Sequence, residues 1–201
     1  MKRMLMAMIW AGAVAVGAAE PTPAKVGEAA PEFQLPDLAG QSRTLSEFKG
    51  KYVVLEWTNY DCPFVKKHYG SGNMQALQKA SAAKGVIWLS INSSAAGKQG
   101  HYTAEEWAKQ VAAREAAPAA VLLDGDGTVG RRYGAKTTPH IFIINPEGVL
   151  IYGGAIDSNS SPDPKTIPGA VNYVHKTLDA ALAGKPVEPA ATQPYGCSVK
   201  Y

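Results

Sequence analysis

The chain has 201 residues, a length that fits one domain with at most a short appendage. Hydrophobic residues make up 46% and charged residues 18%, which supports a buried core and argues against wholesale disorder. The formal charge of +3 falls to +1 once Lys2 and Arg3 are set aside, so no basic stripe remains to bind nucleic acid, and two cysteines are too few for a Cys-rich zinc site or a disulfide-dense scaffold.

Lys2-Arg3, the apolar run Met4–Gly17 and the small residues Gly17-Ala18-Ala19 have the layout of a secretory signal at residues 1–19. The apolar run is about 14 residues, short of the roughly 20 a spanning helix needs. The mature chain is therefore expected to be soluble and secreted or periplasmic, where a disulfide persists. Residues 20–24, with Pro21 and Pro23, read as an extended linker.

Phe33-Gln34-Leu35 and Arg43-Thr44-Leu45 flank Asp37-Leu38-Ala39-Gly40 as a hairpin. Tyr52–Trp57 is rich enough in β-branched and aromatic residues for a buried strand. Pro63 opens a helix expected to run through Met74–Ala83 and stop near Gly85. Val86–Ile91 forms the next strand. Thr103 and Glu106 make a capping box for a helix to about Ala116. Ala120–Leu123 is a strand and Val129–Tyr133 a short helix. Ile141–Ile144 and Val149–Tyr152 pair across the turn Asn145-Pro146-Glu147-Gly148. Ser158–Pro168 reads as a loop, Ala170–Ala183 as a last helix, and residues 186–201 as an irregular, movable tail. This alternation implies an α/β fold: a central mixed sheet with helices on both faces.

Cys62 arrives where a strand gives way, through a short loop, to a helix. Unpaired N–H groups and the positive helix end stabilise a thiolate there. Lys66 and Lys67 add to that effect if they face the sulfur, and Asp61 opposes it. The alternative is an inert buried cysteine. Glu56, in the strand before Cys62, is either an inward carboxylate able to take a proton from a leaving thiol or, as its setting favours, a solvent-facing residue at a sheet edge. His68 reads as a surface or half-buried residue, and His140 is a weaker candidate for the site. No His, Asp or Glu group has metal-ligand spacing.

Four segments carry a resemblance. Val26–Phe33, Phe48–Lys51, Cys62-Pro63-Phe64-Val65 and Thr137–Phe142 are similar to the corresponding elements of the thioredoxin-like superfamily, in its redoxin branch of peroxiredoxin-like proteins. The match is nearest to a subgroup with one motif cysteine and another near the C-terminus. It covers about residues 25–183 and implies a thioredoxin-like domain over 25–185. It also implies that the Thr138–Pro139 peptide is cis, that Thr138 offers its backbone to substrate, and that Pro139 lies beside the reactive cysteine. Val65 replaces the second cysteine of C-x-x-C. The P-x-x-x-[TS]-x-x-C motif of peroxidases is missing too, since Leu55 and Asn59 stand at its proline and hydroxyl positions.

The resemblance therefore implies thiol–disulfide chemistry more than peroxide reduction, with Cys62 as nucleophile and no bound cofactor or metal. The substrate would be a protein or small-molecule thiol or disulfide, with an external thiol as electron donor or acceptor. Cys197, in Tyr195-Gly196-Cys197, is the available intramolecular partner. Three roles stay open for it: resolving thiol, half of a structural Cys62–Cys197 bridge, or a link between two chains. A bridge would close a loop of about 135 residues, worth roughly 4–5 kcal/mol. A peroxidase using Cys62, and a non-enzymatic protein stapled by this pair, are the alternative functions.

Overall fold

The computed structural model describes residues 23–201, so the expected signal sequence lies outside the described residues. A hairpin of β1 (Gln34–Pro36) and β2 (Ser42–Thr44) comes first. The main sheet has five strands: β3 (Val53–Trp57), β4 (Ile87–Asn92), β5 (Ala120–Leu123), β7 (His140–Ile144) and β8 (Leu150–Gly154), in the order β5-β4-β3-β7-β8. The first three run parallel, and β7 and β8 run antiparallel to their neighbours. The expected central mixed sheet is present. β3 lies in its middle, buried on both faces, which explains its nearly continuous apolar run.

Alternation along the strands divides the core. Val54, Trp88, Ile141 and Ile143 face one side, packing with Cys62, Tyr69, Met74 and Leu178. Leu55, Trp57, Leu89, Ile91 and Phe142 face the other, packing with Phe33, Leu35, Val129 and Tyr133. Helices α1 (Pro63–Gly70), α2 (Asn73–Ala83), α3 (Ala104–Ala113) and α5 (Tyr173–Leu182) contribute to the first side, and α4 (Thr128–Tyr133) with the hairpin to the second.

Two expectations are corrected. The long helix from Pro63 is two helices, because Gly72 takes φ 77°, a left-handed value that ends helical propagation. The tail is not irregular throughout: Cys197–Ser198 (β9) pairs antiparallel with Thr137–Thr138 (β6), and Ala191 bridges in parallel to Gly153. The expected Thr103 capping box forms, with Glu106 N–H donating to Thr103 Oγ1 at 3.2 Å and Thr103 N–H to Glu106 Oε2 at 2.7 Å. Among the described residues no helix is long and apolar enough to cross a membrane.

Candidate active site

The loop from β3 to α1 delivers Cys62 to the helix start. Asn59 Oδ1 accepts the Asp61 N–H at 2.9 Å and its amide donates to Gln99 O at 3.1 Å, fixing the turn. Cys62 N–H then donates to Asn59 O at 3.0 Å. Cys62 is the N-cap, with extended φ/ψ of −70° and 127°, and Pro63 occupies the first helical position, where its missing N–H is not needed. The side chain of Cys62 is completely buried.

What covers it is the cis-proline loop and the tail. The Thr138–Pro139 peptide is cis. As a neutral thiol, Cys62 donates to the Thr138 carbonyl oxygen at 3.0 Å. Cys197 pairs with Thr138 across β6 and β9, which sets its thiol against that of Cys62. Gly196 makes the approach possible: its φ is 137°, and a Cβ there would overlap the Thr138 carbonyl. Both cysteines are free thiols, and Cys197 packs against the cluster that holds Cys62.

The shared environment makes the two thiols unequal. Burial by itself raises the Cys62 pKa. The polar surroundings supplied by Cys197, Thr138 and the backbone of Cys197 and Val65 outweigh it, and the thiol lies below its ordinary value. Cys197 is pushed up to about 11, first by burial and then by its hydrogen bond to Cys62 and the charge on that sulfur. Cys62 is therefore the more acidic of the two thiols.

The tail is tied down by groups that the sequence reading placed elsewhere. Lys67 is buried and ion-paired with Asp157 at 3.4 Å, and it also donates to Asn159 O at 2.8 Å, so its charge is committed there. His68, expected at or near the surface, is completely buried between Asn73 (2.9 Å) and the Tyr195 hydroxyl (3.2 Å). Burial, partly opposed by Asp157, lowers its pKa to about 4, so it is neutral at pH 7. Tyr195 donates to Asp157 Oδ1. The sequence signal for this cluster is weak: Tyr195 lies two residues before Cys197, and no local pattern links it to Asp157, His68 or Lys67.

Glu56 is not at a sheet edge. It is completely buried in the central strand, on the same face as the Cys62 cluster, because β3 pairs with β4 on one side and β7 on the other. Trp88 Nε1 donates to its carboxyl at 2.9 Å, and Ser90 and Tyr69 each do so at 3.0 Å. Burial raises its pKa, and these donors only partly offset that. Tyr69 also packs edge-on against Tyr60, the ring centroids 4.9 Å apart. The polar network closes on Glu56, Tyr69, Gln78, Trp88 and Ser90, and its contact with Tyr60 is aromatic.

His140 turns to the other face of the sheet, stacked on Phe142 with centroids 4.4 Å apart, and its Nδ1 accepts the Lys136 N–H at 3.2 Å. Burial lowers its pKa to about 3. It therefore takes no part in the cysteine site. Among the described residues no cluster of His, Cys, Asp and Glu has the geometry to hold a metal ion.

A mixed sheet of this order, with a cysteine capping the helix after its central strand and a cis-proline loop facing it, defines a thioredoxin-like domain. Residues 26–153 match the AhpC/TSA family, and the chain belongs to that family. No curated protein is significantly similar. Among solved structures, a hypothetical protein from Sinorhizobium meliloti is 26% identical, with 90% of this chain and 96% of that one aligned at a TM-score of 0.75. An uncharacterised conserved protein from Geobacillus kaustophilus is 27% identical over 94% and 98%, at 0.73. A putative thiol:disulfide interchange protein DsbE from Chlorobium tepidum is 26% identical over 65% and 84%, at 0.53.

Proposed function

We propose that the protein is an exported thiol–disulfide oxidoreductase in which Cys62 attacks and Cys197 resolves. The observation that carries this reading is the contact between two thiols of opposite acidity, Cys62 lowered and Cys197 raised to about 11, on the backbone of Thr138. The Cys62 thiolate attacks a protein or small-molecule disulfide, forming a mixed disulfide and releasing one substrate thiolate. Cys197 then attacks the Cys62 sulfur, forming the Cys62–Cys197 disulfide and releasing the second. An external thiol reduces that bridge to complete the cycle.

Pro63 starts the helix that stabilises the thiolate, and Thr138 and Pro139 shape the edge where an extended substrate would lie. Glu56, a buried carboxyl of raised pKa on the same face of the sheet as Cys62, is the nearest reading for the group that takes a proton from a leaving thiol. The basic-apolar leader and the likeness to an interchange protein of the DsbE type support export and substrate class. Asn59 stands where a peroxidase would carry its hydroxyl, and both ends of its side chain are occupied. Peroxide is therefore expected to oxidise Cys62 no faster than a free thiol, as stopped-flow kinetics would show.

The complete burial of Cys62 favours a second reading, a structural bridge that pins the tail. Paired variants separate the two. Under the catalytic reading, Cys197→Ser traps partners on Cys62 in a non-reducing gel and Cys62→Ser traps none. Loss of stability in both without trapping, with a wild-type bridge potential below about −300 mV, would establish the staple instead.

A further inference from the structure

Tyr195, Asp157, His68 and Lys67 form a second constellation beside the thiol pair, and the redox chemistry does not use them. The Tyr195 hydroxyl is held by Asp157 Oδ1 and by His68 Nε2 at 3.2 Å. Its ring meets Phe64 edge-on at 5.9 Å and lies 5.4 Å from the Lys67 ammonium. Lys67 and His68 belong to α1, the helix that Cys62 caps, whereas Asp157 follows β8. A buried ion pair is a poor source of net stability, because desolvating two charges cancels most of the attraction. Its geometry is well suited to something else: it presents a carboxylate and a cation at fixed positions, and one aromatic phenol seats against the pair.

The spacing shows what that socket controls. Only Gly196 separates Tyr195 from Cys197. The next ties are the Cys197–Thr138 pairing and the Val199 N–H to Lys136 O bond at 3.1 Å. Cys62 is covered by this segment, so a substrate reaches it only when Cys197–Ser198 lifts from the Thr137–Thr138 edge. A lifted segment that stays fastened at Tyr195 swings about Gly196 and returns Cys197 to the same place. A segment released at Tyr195 is held only farther off, at Thr192 and at Lys200–Tyr201, and returns over a wider arc.

We infer that Tyr195, seated on Asp157, His68 and Lys67, is the positioning residue of the resolving step, fixing where Cys197 re-enters after Cys62 has been captured. This rests on the reading of Cys197 as the resolving thiol. Fastening one residue away keeps the effective concentration of the thiol high, whereas a segment held only at Thr192 and Lys200–Tyr201 places it less narrowly. Capture of substrate by Cys62 does not depend on it.

The test uses the reduced protein and one equivalent of 5,5′-dithiobis(2-nitrobenzoate). Attack by Cys62 releases one thionitrobenzoate and leaves the other in a mixed disulfide. Attack by Cys197 on the Cys62 sulfur breaks that bond, releases the second thionitrobenzoate and leaves the protein oxidised by two electrons. Tyr195→Phe keeps the ring and loses the hydroxyl, and Tyr195→Ala loses both. The expected result is a first phase equal to or faster than wild type and a second phase slowed, by about tenfold or more in Tyr195→Ala and less in Tyr195→Phe. The mixed disulfide should accumulate in mass spectra, and an added monothiol should clear it as readily as it clears Cys197→Ser. A second phase at the wild-type rate in both variants, or both phases slowed in parallel, would overturn the inference. A wild-type protein that releases one equivalent only would instead remove the resolving role of Cys197, and the inference with it.

Discussion

Cys62 and Cys197 carry the same side chain, yet the hydrogen bonds around them push their acidities in opposite directions. Gly196 is what permits their contact, because only a residue without a Cβ fits against the Thr138 carbonyl at a φ of 137°. Gly196→Ala should therefore unseat the segment, at a strain of about 1–3 kcal/mol, and raise the rate of Cys62 alkylation roughly tenfold or more, as mass spectrometry would record. Glu56 offers a different test. Its pKa is raised by burial, so the native state holds its proton more tightly than the unfolded chain. Stability from this group is complete below its unfolded value and is lost as pH rises through the folded one. Glu56→Gln should remove that fall, and urea unfolding across a pH series would reveal a flatter profile between the unfolded value and the raised folded one. His140 acts oppositely: with its pKa lowered to about 3, it contributes stability above about 6.5 that is lost as pH falls toward 3.

Among the elements, the break between α1 and α2 shows what composition alone could not settle. Gly70-Ser71-Gly72 interrupts the expected helix, but an isolated glycine is tolerated within helices as well as between them. Packing decides the case: α1 continues the loop that presents Cys62, and α2 packs against β4. Gly72 has no atom within 4 Å of where a Cβ would stand, so Gly72→Ala should suffer only the left-handed backbone penalty. A loss of about 1 kcal/mol in chemical denaturation is expected, with Cys62 reactivity unchanged. The strands were easier to read. β3, β4 and β7 are almost wholly buried, and their runs, apolar but for Glu56, Ser90, Asn92 and His140, point to that directly.

At the scale of the molecule, the tail acts as a strap over the end of the sheet that carries the thiols. It begins alongside β8, where Thr192 Oγ1 accepts the Ala155 N–H at 2.9 Å, and passes through the Tyr195 socket. It ends with the Tyr201 hydroxyl donating to Ala135 O at 2.8 Å and its ring 4.5 Å from the Arg131 guanidinium. Shortening the chain to end at Pro194 removes the cover from Cys62. Its alkylation should then approach the rate of an exposed thiol, whereas the intact protein reacts slowly, and the midpoint of thermal unfolding should fall. Equal alkylation rates in the two proteins would show that the strap does not control access.

The sequence by itself determined the strand and helix order, the helix-start position of Cys62 and the family to which residues 26–153 belong, because each is written in local patterning or in a contiguous motif. The cis peptide at Pro139 came from the resemblance, not from composition. Only the tertiary structure decided that Glu56 lies in the middle of the sheet, since an edge strand and a central strand can share one pattern until their neighbours are known. It also decided that Lys67 and His68 turn inward. Charged and imidazole side chains on a helix read as solvent-facing until a partner such as Asp157, 90 residues away along the chain, supplies the counter-charge that makes burial tolerable. The return of the tail to Thr138 belongs with these, because pairing between segments so far apart in the chain depends on the shape of the whole fold rather than on either segment alone.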